Sequence, residues 1–266
     1  MQNKKGKILS LVSSTYSNYS VEESLSGARD AGFKNIDLAF IKDITEHLIT
    51  EKEIKKNLTL CNDYNINLFA IAAHDCLLRK NGLEEFKKLI DIAESLNIEY
   101  ITTGSSRINS IEDEKKFLND INKLGYYARE KKINICVETA GEWIKNGEIL
   151  AKIMKDINYP NIKINYDPAN VIFYSDAEPA KDIKFVLPYL GYVHLKDKRG
   201  GYKIWDFPAL GEGIIDFKRI FEILSEYNVP FSVEIEFDGK ERSLTEINDA
   251  VKKSYNFLEN VGFFDN

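Results

Sequence analysis

The chain has 266 residues, of which 44% are apolar and 29% charged, and its formal net charge is −6. This is the composition of an ordinary globular protein, and the scattered lysines and arginines form no basic stripe of the kind that binds nucleic acid. No apolar run approaches the roughly 20 residues that span a bilayer, so we expect neither a nucleic-acid nor a membrane partner.

The predicted compartment is the cytoplasm. Residues 1–14 contain a basic stretch but no long apolar segment with a small-residue cleavage site. The three cysteines, Cys61, Cys76 and Cys136, form no CxxC pair, and an odd number suits a reducing compartment. We interpret Cys136 as a small residue inside the fold rather than a catalytic thiol.

Strand-like and helix-like segments alternate along the whole chain. Apolar runs rich in β-branched and aromatic residues predict strands at residues 7–12, 35–40, 66–74, 100–105, 135–139, 162–167, 192–197 and 231–236. Each run precedes a segment with helical periodicity, at residues 20–32, 50–64, 82–97, 111–132, 147–157, 178–190, 216–228 and 243–261. In the first helix, Ser20 is the predicted N-cap and Gly32 lies near the C-terminal stop.

Eight strand–helix units of this kind predict a (β/α)₈ TIM barrel, a single α/β domain over residues 1–266. The alternative is an open, doubly wound sheet, which usually carries a glycine-rich phosphate turn after its first strand. Residues 13–20 contain no glycine, and neither GxxxxGK[ST] nor GxGxxG occurs in the chain. The closed barrel is therefore the predicted fold.

Four of the predicted strands carry a metal-type ligand near their C-terminal ends. The ligands are Glu138, Asp167, His194 and, in the last strand, Glu234 with Glu236 two residues later. Because the active sites of parallel barrels lie at these strand ends, we expect three carboxylates and one imidazole to converge and hold one divalent cation. Hard oxygen ligands with one imidazole suit Mn²⁺, our first choice, and also Mg²⁺, Co²⁺ or Zn²⁺.

Polar and apolar side chains alternate along these strands. In the seventh strand, Val193 and Leu195 share one face, whereas Tyr192, His194 and Lys196 share the other. The apolar face can pack on helices, so the polar face is predicted to point into the barrel. Burying so many polar groups is costly unless a metal and a polyhydroxy substrate bind them.

Five short motifs occur in order along the second half of the chain: VE at 137–138, DPAN at 167–170, HLKD at 194–197, LGEGIIDF at 210–217 and VEIE at 233–236. Together they resemble the xylose-isomerase-like barrels, a family that includes sugar-phosphate isomerases and epimerases, inosose dehydratases, ketose 3-epimerases and type IV AP endonucleases. In length and unit order the resemblance covers essentially the whole chain. It implies that Glu138, Asp167, His194 and Glu234 hold one divalent metal, with Glu236 as the alternative to Glu234.

The candidate substrate-binding residues are His74, Asn170, Lys196, Asp37 and Trp205. His74 ends the third predicted strand, and Lys196 shares a face with His194, although a solvated pair between Lys196 and Asp197 is the alternative. His47 lies in a connection before a helix and is predicted to be on the surface.

The resemblance also bears on the other candidates. Asn170 stands where the tagatose-type epimerases carry a substrate-binding histidine, so it leaves the substrate open. Asp37 stands where the family often has an inward-facing glutamate. Trp205 and Trp143 follow predicted strands, where they could stack on a sugar face or simply cap the barrel.

The predicted activity is isomerisation or epimerisation of a ketose, a sugar phosphate or a cyclitol ketone. A divalent metal bound to a hydroxy-ketone acidifies the adjacent C–H, and Glu138 and Glu234 would remove and return the proton through an enediolate. Loss of a β-hydroxyl from the same enediolate gives the main alternative, a dehydratase acting on an inosose- or dehydroshikimate-like substrate.

Two further alternatives belong to other functional classes. An AP endonuclease-like hydrolase needs additional histidine ligands, and this chain has 3 histidines in total. A non-catalytic sugar-binding barrel would keep the pocket but would not need two opposed carboxylates. The expected partner is a small sugar or cyclitol, and the sequence leaves the oligomeric state open, a homo-oligomer included.

Overall fold

The structure is a computed structural model that describes residues 7–41, 44–48, 51–74, 77–105, 107–157 and 159–265. Cys76 lies outside the described residues, whereas Cys61 and Cys136 are buried and free. None of the described helices combines the length and apolar character needed to cross a bilayer.

The described strands form one sheet. They are β1 (Leu9–Val12), β2 (Asn35–Ile41), β3 (Thr45–Glu46), β4 (Asn67–His74), β5 (Tyr100–Thr103), β6 (Asn134–Glu138), β7 (Ile162–Tyr166), β8 (Leu190–Leu195) and β9 (Phe231–Val233). All neighbours run parallel except β3, a two-residue strand that pairs antiparallel with the end of β2. Because β1 pairs with both β2 and β9, the eight parallel strands close into a barrel. The predicted (β/α)₈ barrel is confirmed.

Helices cover the outside of the barrel. They are α1 (Val21–Ala31), α2 (Glu51–Asp63), α3 (Gly82–Ser95), α4 (Ile111–Glu130), α5 (Gly147–Met154), α6 (Pro168–Ser175), α7 (Pro179–Val186), α8 (Phe217–Ile223) and α9 (Leu244–Asn260), with 3₁₀ turns at Ser13–Tyr16 and Leu187–Tyr189. The predicted ends of α1 are confirmed. Ser20 accepts the Glu23 N–H in a capping box, and Gly32 closes the helix with φ +114°.

Several elements differ from the sequence prediction in their bounds, and three differences concern the strand ends that form the site. The helix α6 was not predicted, because its segment PANVIFYS is apolar nearly all round and shows no amphipathic period. It starts where the Asp167 carboxylate accepts the N–H groups of Ala169 and Asn170, at 2.8 and 3.0 Å. The strand β3 was also not predicted, and β9 ends at Val233, so the predicted strand to residue 236 is too long.

Polar side chains occupy the barrel interior, as their strand alternation predicts. The hydroxyl of Tyr192 donates to Asp37 Oδ2 at 2.8 Å and lies 3.3 Å from Ser10 Oγ, and all three residues are fully buried. Burial raises the pKa of Asp37 to about 6. Ala70, Cys136 and Tyr192 form a small separate apolar cluster in the barrel, so the Cys136 interpretation as an interior residue is confirmed.

The N-cap of α9 is expected to contribute measurably to stability, because this helix packs against α1 and covers the barrel. Ser243 Oγ accepts the Glu246 N–H, and the Ser243→Ala change should lower the free energy of unfolding by about 0.5–2 kcal/mol. Urea denaturation measures the difference. Thr245→Ala, at an exposed position two residues further on in the same helix, removes no cap and should stay within about 0.5 kcal/mol of wild type. Equal effects of the two substitutions would contradict the capping role.

Candidate active site

The C-terminal ends of the barrel strands surround a cavity of about 620 Å³. Six of the predicted site residues line it: His74, Glu138, Asn170, Lys196, Trp205 and Glu234. Asp167 and His194 are fully buried beside them. The position of this cavity is the one that parallel barrels use for catalysis.

Four potential metal ligands meet at one end of the barrel. Glu138 is the last residue of β6, His194 lies on β8, and Asp167 and Glu234 directly follow β7 and β9. One ligand atom from each lies within 4.8 Å of all the others. Parallel strands in register end at the same level, so residues that are far apart in the chain become neighbours here.

The imidazole of His194 lies between two of the carboxylates. Its Nδ1 atom is 2.8 Å from Glu138 Oε1 and 3.6 Å from Glu234 Oε2. On its other oxygen, Glu234 accepts a hydrogen bond of 2.8 Å from the hydroxyl of Ser14. The two glutamates therefore share one ring nitrogen, and they come from β6 and the end of β9, which lie on opposite sides of β8 in the sheet.

Lys196 is buried against the same carboxylates. Its Nζ atom is 3.0 Å from both Asp167 Oδ2 and Glu234 Oε2, and 3.5 Å from Glu236 Oε1. The alternative of a solvated pair between Lys196 and Asp197 is wrong, because both side chains are buried and Asp197 has other partners.

Asp197 organises the long loop that follows β8. Its carboxylate accepts backbone N–H groups of Lys198, Gly211, Gly213 and Ile215, at 2.8–3.3 Å. These bonds hold the start of the loop that carries Trp205 close to its end. The indole of Trp205 stands edge-on to Phe173 and Phe207 and forms part of the cavity wall.

Burial and neighbouring charges move the pKa values of the cluster in opposite directions. At Glu138, burial opposes ionisation, but the charge of His194 outweighs it and holds the pKa at about 2. At Asp167, burial prevails over the nearby ammonium of Lys196 and raises the pKa to about 6. Burial likewise raises the pKa of Glu236 to about 7.

The two cationic groups respond to the same carboxylates. Burial alone would lower the pKa of His194, but the Glu138 carboxylate raises it well above its usual range. The pKa of Lys196 is raised for the same reason, with Asp167 as the strongest partner. The cluster therefore holds an excess of negative charge that attracts cations.

The donor set fits a divalent metal. Among the residues that the structure describes, His194 Nε2 and Asp167 Oδ2 are buried without a hydrogen-bond partner, although Asp167 Oδ2 makes the ion contact with Lys196. Buried polar atoms without a partner are rare in folded proteins. Three carboxylates and one imidazole within 4.8 Å could hold a hard divalent ion. The cluster includes Glu234 and not Glu236, whose side chain is 31% exposed in the cavity.

The structure places the remaining predicted residues as follows. His74 Nδ1 is 3.5 Å from Glu138 Oε2, at the edge of the cluster. Asp37 is the exception among the substrate candidates, because it is fully buried, bonded to Tyr192 and not part of the cavity wall. Trp143 packs edge-on against Phe117 in the core and does not line the cavity.

His47 is half-buried rather than on the surface, so that prediction is wrong. Its Nδ1 lies 2.9 Å from Ser13 Oγ and its Nε2 lies 2.9 Å from the carbonyl oxygen of Tyr19. Both contacts tie it to the segment after β1. Burial lowers its pKa.

Several cavity residues were missed because they lie in loops without periodicity. Ser14, Gly104 and Arg107 line the cavity from the turns and loops after β1 and β5, and Tyr174 lines it from α6, the helix that was not predicted. Loops after barrel strands are where such residues are found, so the position of Ser14 just after β1 was a usable signal. Which loop side chain faces the cavity depends on turns that the sequence pattern does not encode.

Comparisons with known proteins agree with this architecture. Residues 25–261 match the family described as xylose isomerase-like TIM barrel. Over 133 residues the chain is 28% identical to an inosose dehydratase from Clostridium tetani, covering 44% of each protein. Over 194 residues it is 22% identical to the L-ribulose-5-phosphate 3-epimerase UlaE from Escherichia coli, covering 68% of this chain and 66% of that protein.

A solved structure resembles the whole barrel. The D-allulose 3-epimerase from Methylomonas sp. in complex with D-allulose superposes with a TM-score of 0.75 at 19% identity, covering 96% of this chain and 97% of the other. At this identity the likeness shows a shared fold. The matches to the dehydratase and the UlaE epimerase each span less than two thirds of that relative's own length.

Proposed function

The chain belongs to the xylose isomerase-like TIM barrel family, and on that premise we propose that it is a divalent-metal-dependent isomerase or epimerase of a ketose, sugar phosphate or cyclitol ketone. One observation carries the proposal. Glu138 and Glu234 line the same cavity and reach His194 Nδ1 from β6 and from the end of β9, strands on opposite sides of β8, so two carboxylates from different parts of the barrel can approach one substrate carbon. The similarity to an L-ribulose-5-phosphate 3-epimerase supports the substrate class.

The residues Glu138, Asp167, His194 and Glu234 would hold the metal, with Mn²⁺ as our first choice and Mg²⁺, Co²⁺ or Zn²⁺ as alternatives. When bound, a divalent cation polarises a ketose carbonyl and acidifies the adjacent C–H. Ser14 and Lys196 would orient Glu234, because each contacts one of its two carboxylate oxygens.

Proton transfer is assigned to the two glutamates. One carboxylate removes the proton from the carbon next to the carbonyl, which leaves an enediolate, and the other returns a proton. Return to the opposite face of the same carbon gives an epimer, and return to the neighbouring carbon gives an isomer. His74, Asn170, Lys196 and Trp205, which line the cavity, would bind substrate hydroxyls and a sugar face.

A dehydratase is the second candidate, and Glu236 favours it. This third carboxylate is outside the metal-type cluster, lines the cavity and lies 3.5 Å from Lys196. It could give a proton to a departing β-hydroxyl, a step that epimerisation does not need. The similarity to an inosose dehydratase points to the same alternative.

Deuterium exchange is expected to identify the reaction. The Mn²⁺-loaded protein would be incubated in D₂O with free ketoses, phosphorylated ketoses and inososes, and followed by proton NMR. We expect label at one carbon, together with a new sugar isomer. Label with loss of water would favour the dehydratase. If sugars bind and no carbon exchanges, the barrel is a binding protein and the proposed function is wrong.

A further inference from the structure

We propose that the cavity contains an anion subsite, formed by the guanidinium of Arg107 and the backbone N–H groups of Gly104 and Gly141, that binds a phosphate or carboxylate group of the substrate. The inference rests on the proposed function and narrows its substrate class to ketoses that carry an anionic group. All three residues line the cavity, and they follow the adjacent strands β5 and β6.

The subsite is continuous with the metal-type cluster. A Cβ atom on Gly104 would lie 3.3 Å from His74 Nδ1, and that nitrogen is 3.5 Å from Glu138 Oε2. On the next strand end, a Cβ on Gly141 would lie 3.4 Å from Ser105 Oγ. Gly104 therefore lies directly beside His74, where a larger side chain would crowd the imidazole, and a group bound at Gly104 would lie next to the reacting centre.

Two backbone donors are available there. Within the described ranges, neither the N–H of Gly104 nor that of Gly141 donates to a protein acceptor. By contrast, the N–H of Ala140, directly before Gly141, donates to the Glu138 carbonyl. Gly104 is buried, and buried backbone N–H groups almost always have a partner. An oxyanion between the two loops would supply one. Gly141 has φ +98°, a conformation that favours glycine.

Arg107 supplies the positive charge of the anion subsite. In the part of the chain that the structure describes, its guanidinium has no carboxylate partner. The other cations that line the cavity differ, because Lys196 lies among the carboxylates of the cluster, and Lys240 and Arg242 both pair with Asp238, at 2.8 and 2.7 Å. The geometry of a guanidinium suits two oxygens of one phosphate or carboxylate.

The charge distribution of the cavity also favours this side for an anion. Glu234, Glu236 and Glu241 line the wall that follows β9, and the two cations on that wall, Lys240 and Arg242, already pair with Asp238, so a substrate anion would meet mainly carboxylates there. A substrate with a terminal anion would therefore bind with that end toward Arg107 and its carbonyl toward the cluster. This polarity would select one orientation of the substrate.

Amide NMR tests the subsite without any turnover. Inorganic phosphate and acetate would be titrated separately into wild-type protein, Arg107→Gln, Arg107→Lys and a control, Arg129→Gln. Arg129 is exposed on α4, beside Glu130, and does not line the cavity. We expect the Gly104 and Gly141 resonances to shift in wild type and control. The anion affinity should fall on the order of ten- to a hundred-fold in Arg107→Gln and partly recover in Arg107→Lys.

The two probes separate the two sources of the anion. Tighter binding of phosphate than of acetate indicates a sugar phosphate, and the reverse order indicates a sugar acid. If neither anion shifts these two amides, or if Arg107→Gln binds phosphate as wild type does, the subsite does not exist.

Exchange in D₂O distinguishes this inference from the proposed function. Anion-bearing ketoses should exchange with a higher kcat/KM than neutral ones, and Arg107→Gln should reduce only the former. Equal exchange of both classes in wild type and variant would overturn the subsite and leave the proposed function standing. Anion-dependent shifts without exchange of any ketose or inosose would overturn the proposed function and leave the subsite standing.

Discussion

Replacement of Glu138 or Glu234 by glutamine is expected to abolish turnover while the barrel stays folded. Each change keeps the size of the side chain and removes the proton acceptor, and a positioned general base is worth roughly 10²–10⁴-fold in rate. Both residues are also proposed ligands, so weaker metal binding would add to the loss. The measurement is kcat at saturating metal, with metal content determined for each variant.

The two variants should also differ from each other in D₂O. With one base intact, a substrate proton can exchange from one face without net conversion, so one epimer would take up label and the other would not. Glu148→Gln on α5 is the matched control and should turn over normally, since this half-exposed residue pairs with Lys152 and does not line the cavity. If the fully metallated Glu234→Gln variant turns over normally, the second base is Glu236 or a water molecule and not Glu234. Activity in both variants would rule out the two-carboxylate mechanism.

Metal binding is expected to depend on His194. The His194→Ala change removes one of four ligands, and metal affinity should fall by at least about 100-fold, since even the partners of ligands are worth 10–100-fold. Calorimetric titration with Mn²⁺ measures the affinity, and elemental analysis should find about one ion per wild-type chain. The activity of the His194→Ala variant should fall in proportion to the fraction of its sites that hold metal.

His47 supplies the control for that experiment. It is also a half-buried histidine with both ring nitrogens in contact with the segment after β1, but it lies outside the cluster. His47→Gln should therefore leave the metal stoichiometry unchanged even if it lowers stability. If His194→Ala binds metal as tightly as wild type, the proposed ligand set is wrong.

The positions of the strand ends explain how much of the site could be predicted from the sequence. In a parallel barrel every strand ends at the same face, so a residue at a strand end is placed by local pattern and fold class together. Glu138 and His194 lie on strands whose alternation is regular, and their convergence follows from closure of the sheet. Asp167 and Glu234 lie one residue beyond their strands, still within reach of the cluster.

Contacts made by loop residues could not be predicted from the sequence pattern. Asp197 was open to interpretation as a solvated charge, yet it is buried because four backbone N–H groups from the following loop turn toward it. Asp37 was placed among the substrate ligands, yet the ring of Tyr192, from a strand far along the chain, occupies the space beside it. Hydrogen-bond partners that the local sequence pattern does not encode decided both positions.

The amino-acid sequence by itself determined the barrel, the polar inward faces and the four strand ends that meet in the cluster, because these follow from periodicities of two and 3.6 residues repeated eight times. Only the tertiary structure decided that Lys196 lies among the carboxylates, that α6 starts at Asp167, and that Arg107 faces the cavity without a carboxylate partner among the described residues. Those features depend on loop conformations and on which charged side chains meet across the barrel. Neither produces a periodic pattern in the amino-acid sequence.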